Sequence, residues 1–356
     1  MPAVHRTSNR YTPMKTSILA LAALVGVALA APGARAQGDD RAGTAAMEEL
    51  LVPVTARTVA LGTSLTSGLA NLSGVEAVQS NPAALMTNNG TSALFSRTEY
   101  WADIGVNYFG VAQRFGANNV AISLTSWDYG EILRTDEQNP ENDPNVTWEA
   151  STLVIGATFA RQFTDRISAG ATLKALNRSL DDANSNGLAF DAGMTYVVGE
   201  SGLRFGVSLQ NFGPEMDFSG SGLAVPIPGE GPEGEGEQAG EIDDLPAELP
   251  SLLSFGAAYT RPMAGSLSLT GMASYRSNAY DLDQYTAGVE VGYANLFYVR
   301  GGVNVTSDTE QHAWEIWNVG AGLNFNLAGT NLLVDYAFRP SSVFDGVHMF
   351  TVGVGL

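Results

Sequence analysis

The segment "NVGAGLNFNLAGTNLLVDYAF", from Asn318 to Phe338, decides the predicted fold. Bulky apolar residues occupy every second position of its first half, and glycine or asparagine fills the positions between them. After the turn sequence "LAGTN" the alternation resumes, with Asp335 and Ala337 between apolar neighbours. Because successive side chains of a β-strand point to opposite faces, the pattern predicts a hairpin with one bulky apolar face and one face of small or polar groups.

The same alternation recurs in fourteen short segments of the chain. Alternation in segments of about ten residues is typical of a transmembrane β-barrel, which must close on itself because unpaired backbone groups cannot face lipid. The sequence therefore predicts an all-β, antiparallel outer-membrane barrel. The predicted strands are Thr91–Thr98, Ile104–Gln113, Asn119–Tyr129, Trp148–Phe163, Ile167–Leu180, Gly187–Val198, Leu203–Asn211, Leu252–Thr260, Leu267–Arg276, Tyr285–Tyr293, Phe297–Val305, Ile316–Leu327, Leu332–Arg339 and Val347–Leu356.

Composition separates this barrel from a soluble β-sandwich. A sandwich also alternates, but its exposed face is rich in lysine, glutamate and arginine. Here the polar positions hold mostly glycine, serine, threonine and asparagine, and the chain has 40 glycines but only two lysines, Lys15 and Lys174. Aliphatic side chains are therefore expected to face lipid and small groups to face a lumen.

The connections between predicted strands alternate between short turns and long links, such as Gly130 to Thr147 and Phe212 to Ser251. Short turns on one side and long loops on the other are typical of outer-membrane barrels, and they place both termini on the short-turn, periplasmic side. Aromatic residues near the strand ends predict interfacial girdles. These residues are Tyr293 and Phe297 at one end, and Trp127, Tyr129, Trp148, Trp314 and Trp317 at the other.

The N-terminus predicts a secretory signal peptide, with either Met1 or Met14 as the start. Basic residues precede the apolar run Ile18–Ala30, and the small-x-small sequence Ala34-Arg35-Ala36 follows it. A single membrane anchor is the weaker alternative, because a span needs ~20 residues. We therefore expect cleavage near Ala36, and a division into signal peptide 1–36, plug or hatch 37–90, barrel 91–356 and a long acidic extracellular loop 212–251.

Charge and cysteine content exclude several classes of protein. The net charge of −19 disfavours a nucleic-acid partner, because phosphates would be repelled. The absence of cysteine excludes disulfides and thiolate metal sites. The chain contains no G-x-S-x-G, H-E-x-x-H or Walker pattern, and we predict no enzyme, cofactor or metal. His348 with Ser341 or Ser342, and His312 with loop carboxylates, are the weak alternatives.

The stretch "GVEAVQSNPAAL", Gly74–Leu85, precedes the first predicted strand. Its Glu76, Ala77, Asn81, Pro82, Ala83 and Leu85 match the pattern Asp/Glu-Ala-x-x-x-x-Asn-Pro-Ala-x-Leu. The chain thereby resembles the PorV/PorQ branch of FadL-like outer-membrane proteins, from about Leu50 to its C-terminus. The unusually acidic loop Pro214–Pro250 departs from that family.

The resemblance implies a fourteen-stranded barrel whose N-terminal hatch plugs the lumen. It also implies one of two activities. PorV-like members belong to type IX secretion, where they handle cargo C-terminal domains and contact other secretion-system subunits. FadL-like members carry hydrophobic small molecules inward past the hatch. We expect the first activity and keep the second as the alternative, because the residues themselves do not separate them.

Seven charged residues occupy strand positions that, by the alternation of side chains, are predicted to face the lumen. They could form a selectivity lining, or they could pair across strands and fasten the plug, as Glu290 and Arg300 on neighbouring strands suggest. Pairing is the favoured interpretation. The candidates are Lys174, Arg178, Asp191, Arg204, Glu290, Arg300 and Asp335.

Two further features complete the sequence-based expectations. Phe350, Val352, Val354 and Leu356 share one face of the last predicted strand, which we interpret as a signal for the barrel-insertion machinery. The acidic loop is rich in glycine and proline, which predicts weak order outside the membrane, with Ca²⁺ or a basic partner as the functional alternative. Its Gly229, Gly231 and Gly234 match G-x-G-x-x-G without the strand and helix that a nucleotide site needs.

Overall fold

A computed structural model describes residues 41, 43–69, 74–135, 143, 145–228, 237–241, 246–306 and 316–356. Of residues 225–228 and 237–241 it describes the backbone alone. The predicted signal peptide, His312, Trp314 and the G-x-G-x-x-G glycines lie outside the described residues.

The described residues form a closed antiparallel barrel of fourteen strands, which confirms the predicted fold. Each strand lies within a few residues of its predicted position. The strands are β1 Thr91–Glu99, β2 Gly105–Phe115, β3 Asn118–Leu133, β4 Thr147–Gln162, β5 Ile167–Leu180, β6 Ala183–Val197, β7 Leu203–Phe212, β8 Leu252–Pro262, β9 Leu267–Asn278, β10 Gln284–Tyr293, β11 Phe297–Thr306, β12 Trp317–Leu327, β13 Thr330–Arg339 and β14 Val347–Gly355.

The barrel closes between its first and last strands. β1 pairs with β2 on one side and with β14 on the other, where Ser92 lies opposite Gly355. At the end of this seam the Thr91 amide donates to the Leu356 carbonyl at 3.2 Å. Closure leaves no unpaired sheet edge, which is the requirement that lipid imposes on a spanning sheet.

Side chains alternate between the outer surface and the interior as predicted. In the hairpin of β12 and β13, Val319 and Phe325 are exposed on the outer surface, whereas Asp335 and Ala337 are fully buried inside the barrel. The apolar outer surface is therefore the lipid-facing one. No helix among the described residues is long and apolar enough to cross a membrane.

The long connection between β7 and β8 contains more structure than its composition predicts. Ala224–Pro228 pairs with Glu237–Glu241, and Phe218–Ser219 pairs with β6. Met216 and Ala247 exchange backbone hydrogen bonds of 2.9 Å across the base of the connection. Backbone pairing therefore satisfies polar groups locally in these residues, whatever the side-chain charge, and weak order of the loop stays a prediction.

Residues 43–69 and 74–90 fold inside the barrel, and we call them the plug. It contains α1 (Ala56–Ala60), α2 (Gly74–Ala77) and three 3₁₀ turns, Glu48–Leu51, Leu65–Ser67 and Pro82–Thr87. Leu61 and Leu65 pack on Met272 of β9, while Ala60 packs with Met349 of β14. The plug is therefore held against opposite parts of the barrel wall.

Inward-facing glycines let the plug backbone lie directly against the wall. A Cβ on Gly302 of β11 would come within 2.2 Å of the Gly62 amide nitrogen, and one on Gly193 of β6 within 2.0 Å of Asn81 Oδ1. Any larger residue at these positions would force plug and wall apart. The glycine-rich lumen face seen in the sequence is thus a docking surface for the plug.

Candidate functional site

The Asn81 side chain seats the plug on strands β6 and β7. Its Nδ2 donates to the carbonyl oxygens of Thr66 at 2.7 Å, of Met194 at 3.2 Å and of Val207 at 3.3 Å. Its Oδ1 accepts from the Ala83 amide at 2.9 Å, which caps the 3₁₀ turn that follows. One buried amide therefore fixes both a local turn and its position on the wall.

The other residues of the predicted hatch motif lie in the same interface. Pro82 occupies the first position of the 3₁₀ turn, where its missing N–H would have no partner in the turn. Ala83 and Leu85 are completely buried, Leu85 within a cluster that includes Val54. Glu76 turns instead toward charged residues.

Five buried charged side chains form a network between the plug and the wall. Arg57 of α1 donates to Glu290 of β10 at 2.8 Å, and Arg300 of β11 donates to the same carboxylate at 2.7 Å. Arg300 also donates to Asp335 of β13. Glu76 of α2 lies 4.0 Å from Arg57, and each of the five side chains is at most 2% exposed. The structure thus brings three of the seven predicted lumen charges together with two plug residues.

A second buried ion pair lies where β6 meets β7. Lys174 Nζ is 2.7 Å from Asp191 Oδ2 and donates to Asn211 Oδ1 at 2.7 Å. Asp191 Oδ1 accepts from the Asn211 backbone amide at 2.7 Å, and the strand pairing shifts register at this point. The ion pair of Lys174 and Asp191 therefore lies at the register shift between β6 and β7 and stabilises the strands there.

Glu49 joins the N-terminal part of the plug to the wall. Its carboxylate accepts hydrogen bonds from Tyr129 of β3 and from Arg178 of β5. Burial alone would raise the pKa of Glu49, but the Arg178 hydrogen bond and charge outweigh it and lower the pKa below 4.5. Glu49 is therefore ionised at neutral pH and holds this part of the plug through charge-assisted hydrogen bonds.

A cavity of about 930 Å³ opens above the plug, at the long-loop end of the barrel. Aromatic and aliphatic side chains form one part of its lining, including Trp127, Tyr280 and Val52. Arg276 and Arg339 add positive charge to another part. Arg276 is held by Thr63 Oγ1 at 3.1 Å and by Gln284 Oε1 at 3.2 Å. Glu48, Glu49, Arg178 and Asp281 also line it, so the cavity combines an apolar part with a charged part.

Two predicted girdle residues line this cavity. Trp127 and Tyr129 point into the barrel, where their rings stack 6.3 Å apart, and Trp127 also stacks on Tyr100 at 5.8 Å. Their assignment to a lipid-facing girdle is wrong, because position near a strand end does not determine the face. The alternation of side chains along the strand determines the face, and Trp127 lies an even number of positions from the inward-facing Ala121. Tyr293, Phe297 and Trp317 are exposed on the outer surface.

The remaining predicted residues lie apart from these clusters. Arg204 is half-buried on β7, with no ion pair among the described residues. Phe350 and Leu356 are exposed on the outer face of the last strand and its end, as are Val352 and Val354. His348 contacts Tyr336 Oη through Nδ1 at 2.7 Å on the outer surface. Within the described part of the chain, no three His, Asp or Glu side chains are close enough to hold a metal.

Sequence reasoning missed Arg57 and Glu49. Arg57 carried a usable signal, since it is the only basic residue between positions 42 and 96 and lies in the largely uncharged stretch "TARTVALG". A lone arginine in such a stretch predicts a buried acidic partner. The sequence gives no signal that singles out Glu49, because the neighbouring Glu48 is equally acidic and is exposed.

Comparison with known proteins identifies the fold. No protein-family model and no curated protein matches the sequence. Many solved structures resemble the barrel. One of them, the Ralstonia pickettii toluene transporter TbuX, gives 12% identity and a TM-score of 0.51 over 84% of this chain and 96% of that chain. The CymD monoaromatic hydrocarbon channel gives 10% identity and 0.53 over 85% and 97%.

A FadL homologue of Pseudomonas aeruginosa gives 11% identity and a TM-score of 0.51 over 85% of this chain and 98% of that chain. Of these neighbours, TbuX is described as a transporter and CymD as a channel. The barrel thus has the fold of FadL-family outer-membrane proteins.

Proposed function

We propose that this chain is an outer-membrane transporter that lets small hydrophobic molecules pass into the cell. The observation that carries the proposal is the cavity of about 930 Å³ between the long-loop end and the plug. A hydrophobic solute entering from that end would meet the cavity first and the plug second. Passage inward then requires the plug to move or to open a path along the wall.

One part of the cavity lining suits an aromatic solute. Trp127 and Tyr280 contribute rings to this part, and Val52, Val305 and Ile316 add aliphatic surface. The volume is within the range of drug-sized ligand pockets, which is about 300–1,000 Å³. A single aromatic ring therefore fits with space to spare.

The structural neighbours support the same proposal. TbuX is described as a toluene transporter and CymD as a monoaromatic hydrocarbon channel. These solutes enter the proposal for this chain as a chemical class, since the likeness is one of fold.

Uptake of radiolabelled toluene by bacterial cells that express the chain tests the proposal. We expect faster uptake than in cells without it. Trp127→Ala removes the ring that lines the cavity and should weaken toluene binding to the purified protein by about fivefold to tenfold, equivalent to about 1–1.5 kcal/mol. Trp317→Ala is the matched control, because Trp317 lies on the outer surface.

Equal uptake with and without a correctly folded chain would overturn the transport role. Equal loss of toluene binding in the Trp127 and Trp317 variants would show that toluene does not bind in the cavity. Intrinsic fluorescence offers an independent readout, since a bound solute quenches Trp127 and leaves Trp317 unchanged.

A role in type IX secretion stays a prediction. It rests on the match of Glu76, Asn81, Pro82, Ala83 and Leu85 to the PorV/PorQ motif. The partners it implies are secretion-system subunits and cargo C-terminal domains. Deletion of the gene followed by surface proteomics separates the two functions, because only the secretion role predicts loss of cargo from the cell surface.

A further inference from the structure

In the buried network between plug and wall, acidic groups outnumber basic groups. It contains three carboxylates, Glu76, Glu290 and Asp335, and two guanidinium groups, Arg57 and Arg300. If all five were ionised, the network would have one uncompensated negative charge away from water. Burial of an unpaired charge is costly enough that the group usually neutralises instead.

Glu76 is the least compensated of the three carboxylates. Glu290 receives guanidinium hydrogen bonds from Arg57 and Arg300 at 2.8 and 2.7 Å, and Asp335 receives one from Arg300. Glu76 has only Arg57, at 4.0 Å. Neither of its carboxylate oxygens has a hydrogen-bond partner among the described residues, and its side chain is 0% exposed.

The elements packed on Glu76 place no positive charge beside it other than Arg57, since Arg114 of β2 lies at the end of its strand and donates to Asn88 and Gln162. α2 lies against β1, β2, α1 and the 3₁₀ turn Pro82–Thr87. From β1 the inward side chains are Ser92, Leu94, Ser96 and Thr98, none of which is charged. Tyr108 of β2 donates its hydroxyl hydrogen to the Val75 carbonyl at 3.0 Å, and the 3₁₀ turn has no ionisable side chain. α1 contributes Arg57 alone.

The electrostatic balance at Glu76 favours its neutral form. Burial raises the pKa of this carboxyl group, and repulsion from Asp335 raises it further. Arg57 and Arg300 offset part of the rise, which leaves a pKa of about 8 against an ordinary value of 4.5.

We propose that Glu76 binds a proton when the plug is docked, and that loss of this proton weakens the attachment of the plug to the wall. The proton removes the excess negative charge of the network and preserves the hydrogen bond from Arg57 to Glu290. The site makes docking of the plug sensitive to pH, a property that the transport proposal neither requires nor implies.

The sign of the effect follows from linkage. A carboxyl group whose pKa is raised in the docked state binds a proton there that the undocked state releases above pH 4.5. Docking is therefore strongest in acid, weakens as the pH rises from 4.5 to about 8, and is constant above that value as far as this group is concerned.

Infrared spectroscopy of the purified protein tests the proton directly. At a pH well above 4.5 but below 8 ordinary carboxyl groups are ionised, so a C=O stretching band of a protonated carboxyl group reports a perturbed one. We expect this band in the wild type, its loss in Glu76→Gln, and its retention in Glu49→Gln, which changes the ionised Glu49 of the same plug. Absence of the band from the wild type, or its survival in Glu76→Gln, would overturn the proposal.

Limited trypsin digestion tests the effect on docking. Cleavage after the buried Arg57 requires the plug to leave the wall, whereas cleavage after the exposed Arg166 provides an internal reference. As the pH rises toward 8, the ratio of the two rates should increase about tenfold per pH unit in the wild type, the limit for one proton. It should stay constant in Glu76→Gln.

The cleavage-rate ratio could depend on pH equally in both proteins, or not depend on pH in the wild type. Either result would contradict the proposal that the proton on Glu76 strengthens docking of the plug. A stabilisation by Na⁺ at constant pH that depends on Glu76 and accompanies an absent carboxyl band would assign the site to a cation instead. Failure of toluene uptake has no bearing on either measurement.

Discussion

Arg57 of the plug and Glu290 of the wall form a hydrogen-bonded ion pair of 2.8 Å although 233 positions separate them in the chain. Both side chains are 2% exposed. The pair links α1 to β10, and through Arg300 to β11 and β13. The attachment of the plug therefore depends on electrostatics as well as on apolar packing.

Arg57→Met should strongly destabilise the protein. The variant keeps the apolar stem but leaves three buried carboxyl groups with Arg300 as the one guanidinium group of the network, which lowers the free energy of unfolding by about 3–5 kcal/mol. Urea-induced unfolding in detergent micelles measures the change. Arg97→Met is the control, because the Arg97–Glu99 pair of 3.6 Å is exposed and should contribute less than about 1 kcal/mol. Similar losses in both variants would contradict the importance of burial.

Substitution by alanine should affect stability very differently at two adjacent glycines of β11. Gly302→Ala places a methyl group against the plug backbone at Leu61 and Gly62, and we expect a loss of about 1–3 kcal/mol. At Gly301 the nearest atom to a new Cβ is 3.9 Å away, so Gly301→Ala should change stability by less than about 0.5 kcal/mol. Urea unfolding compares the two. Equal effects would mean that the plug does not lie against this strand.

Asn81→Ala should loosen the 3₁₀ turn at the base of the plug. It leaves the carbonyls of Thr66 and Met194 without their donor, at a cost of about 1–3 kcal/mol. Hydrogen exchange at the Ala83 amide, which Asn81 caps, should become faster. Asn326→Ala removes comparable hydrogen bonds from an exposed turn and should leave the Ala83 amide protected. Unchanged protection in Asn81→Ala would refute the seating role.

Acid should release the N-terminal part of the plug through Glu49. Because the pKa of Glu49 is lowered in the folded protein, its contribution to stability is present above 4.5 and is lost as the pH falls through the lower folded value. The absence of native cysteine allows one spin label at Ala45→Cys. Its mobility should increase on acidification. With Glu49→Gln added, the label should be mobile already at neutral pH, and a label equally immobile in both would exclude the Glu49 contact.

The effects of Glu49 and Glu76 have opposite signs. Acidification weakens the contact of Glu49 with Arg178 and strengthens the docking of the segment that holds Glu76. The difference has a local cause: Glu49 accepts hydrogen bonds from Arg178, Tyr129 and Thr152, whereas Glu76 accepts none among the described residues.

The pattern of residue types along the chain was sufficient to predict the barrel. In each strand the alternation of apolar and small residues is a local property, and the bilayer converts it into a closed sheet because no other arrangement of strands satisfies every backbone group. The inward parity of Glu290, Arg300 and Asp335 followed from the same alternation.

Only the tertiary structure decided what the inward residues contact. Parity places Trp127 inside or outside, but it does not show that a cavity lies in front of it. Nor does it show that Gly302 faces the plug backbone or that Arg57 reaches Glu290. These contacts join segments far apart in the chain, so they depend on how the plug fills the closed barrel, and no periodicity of a single strand encodes that packing.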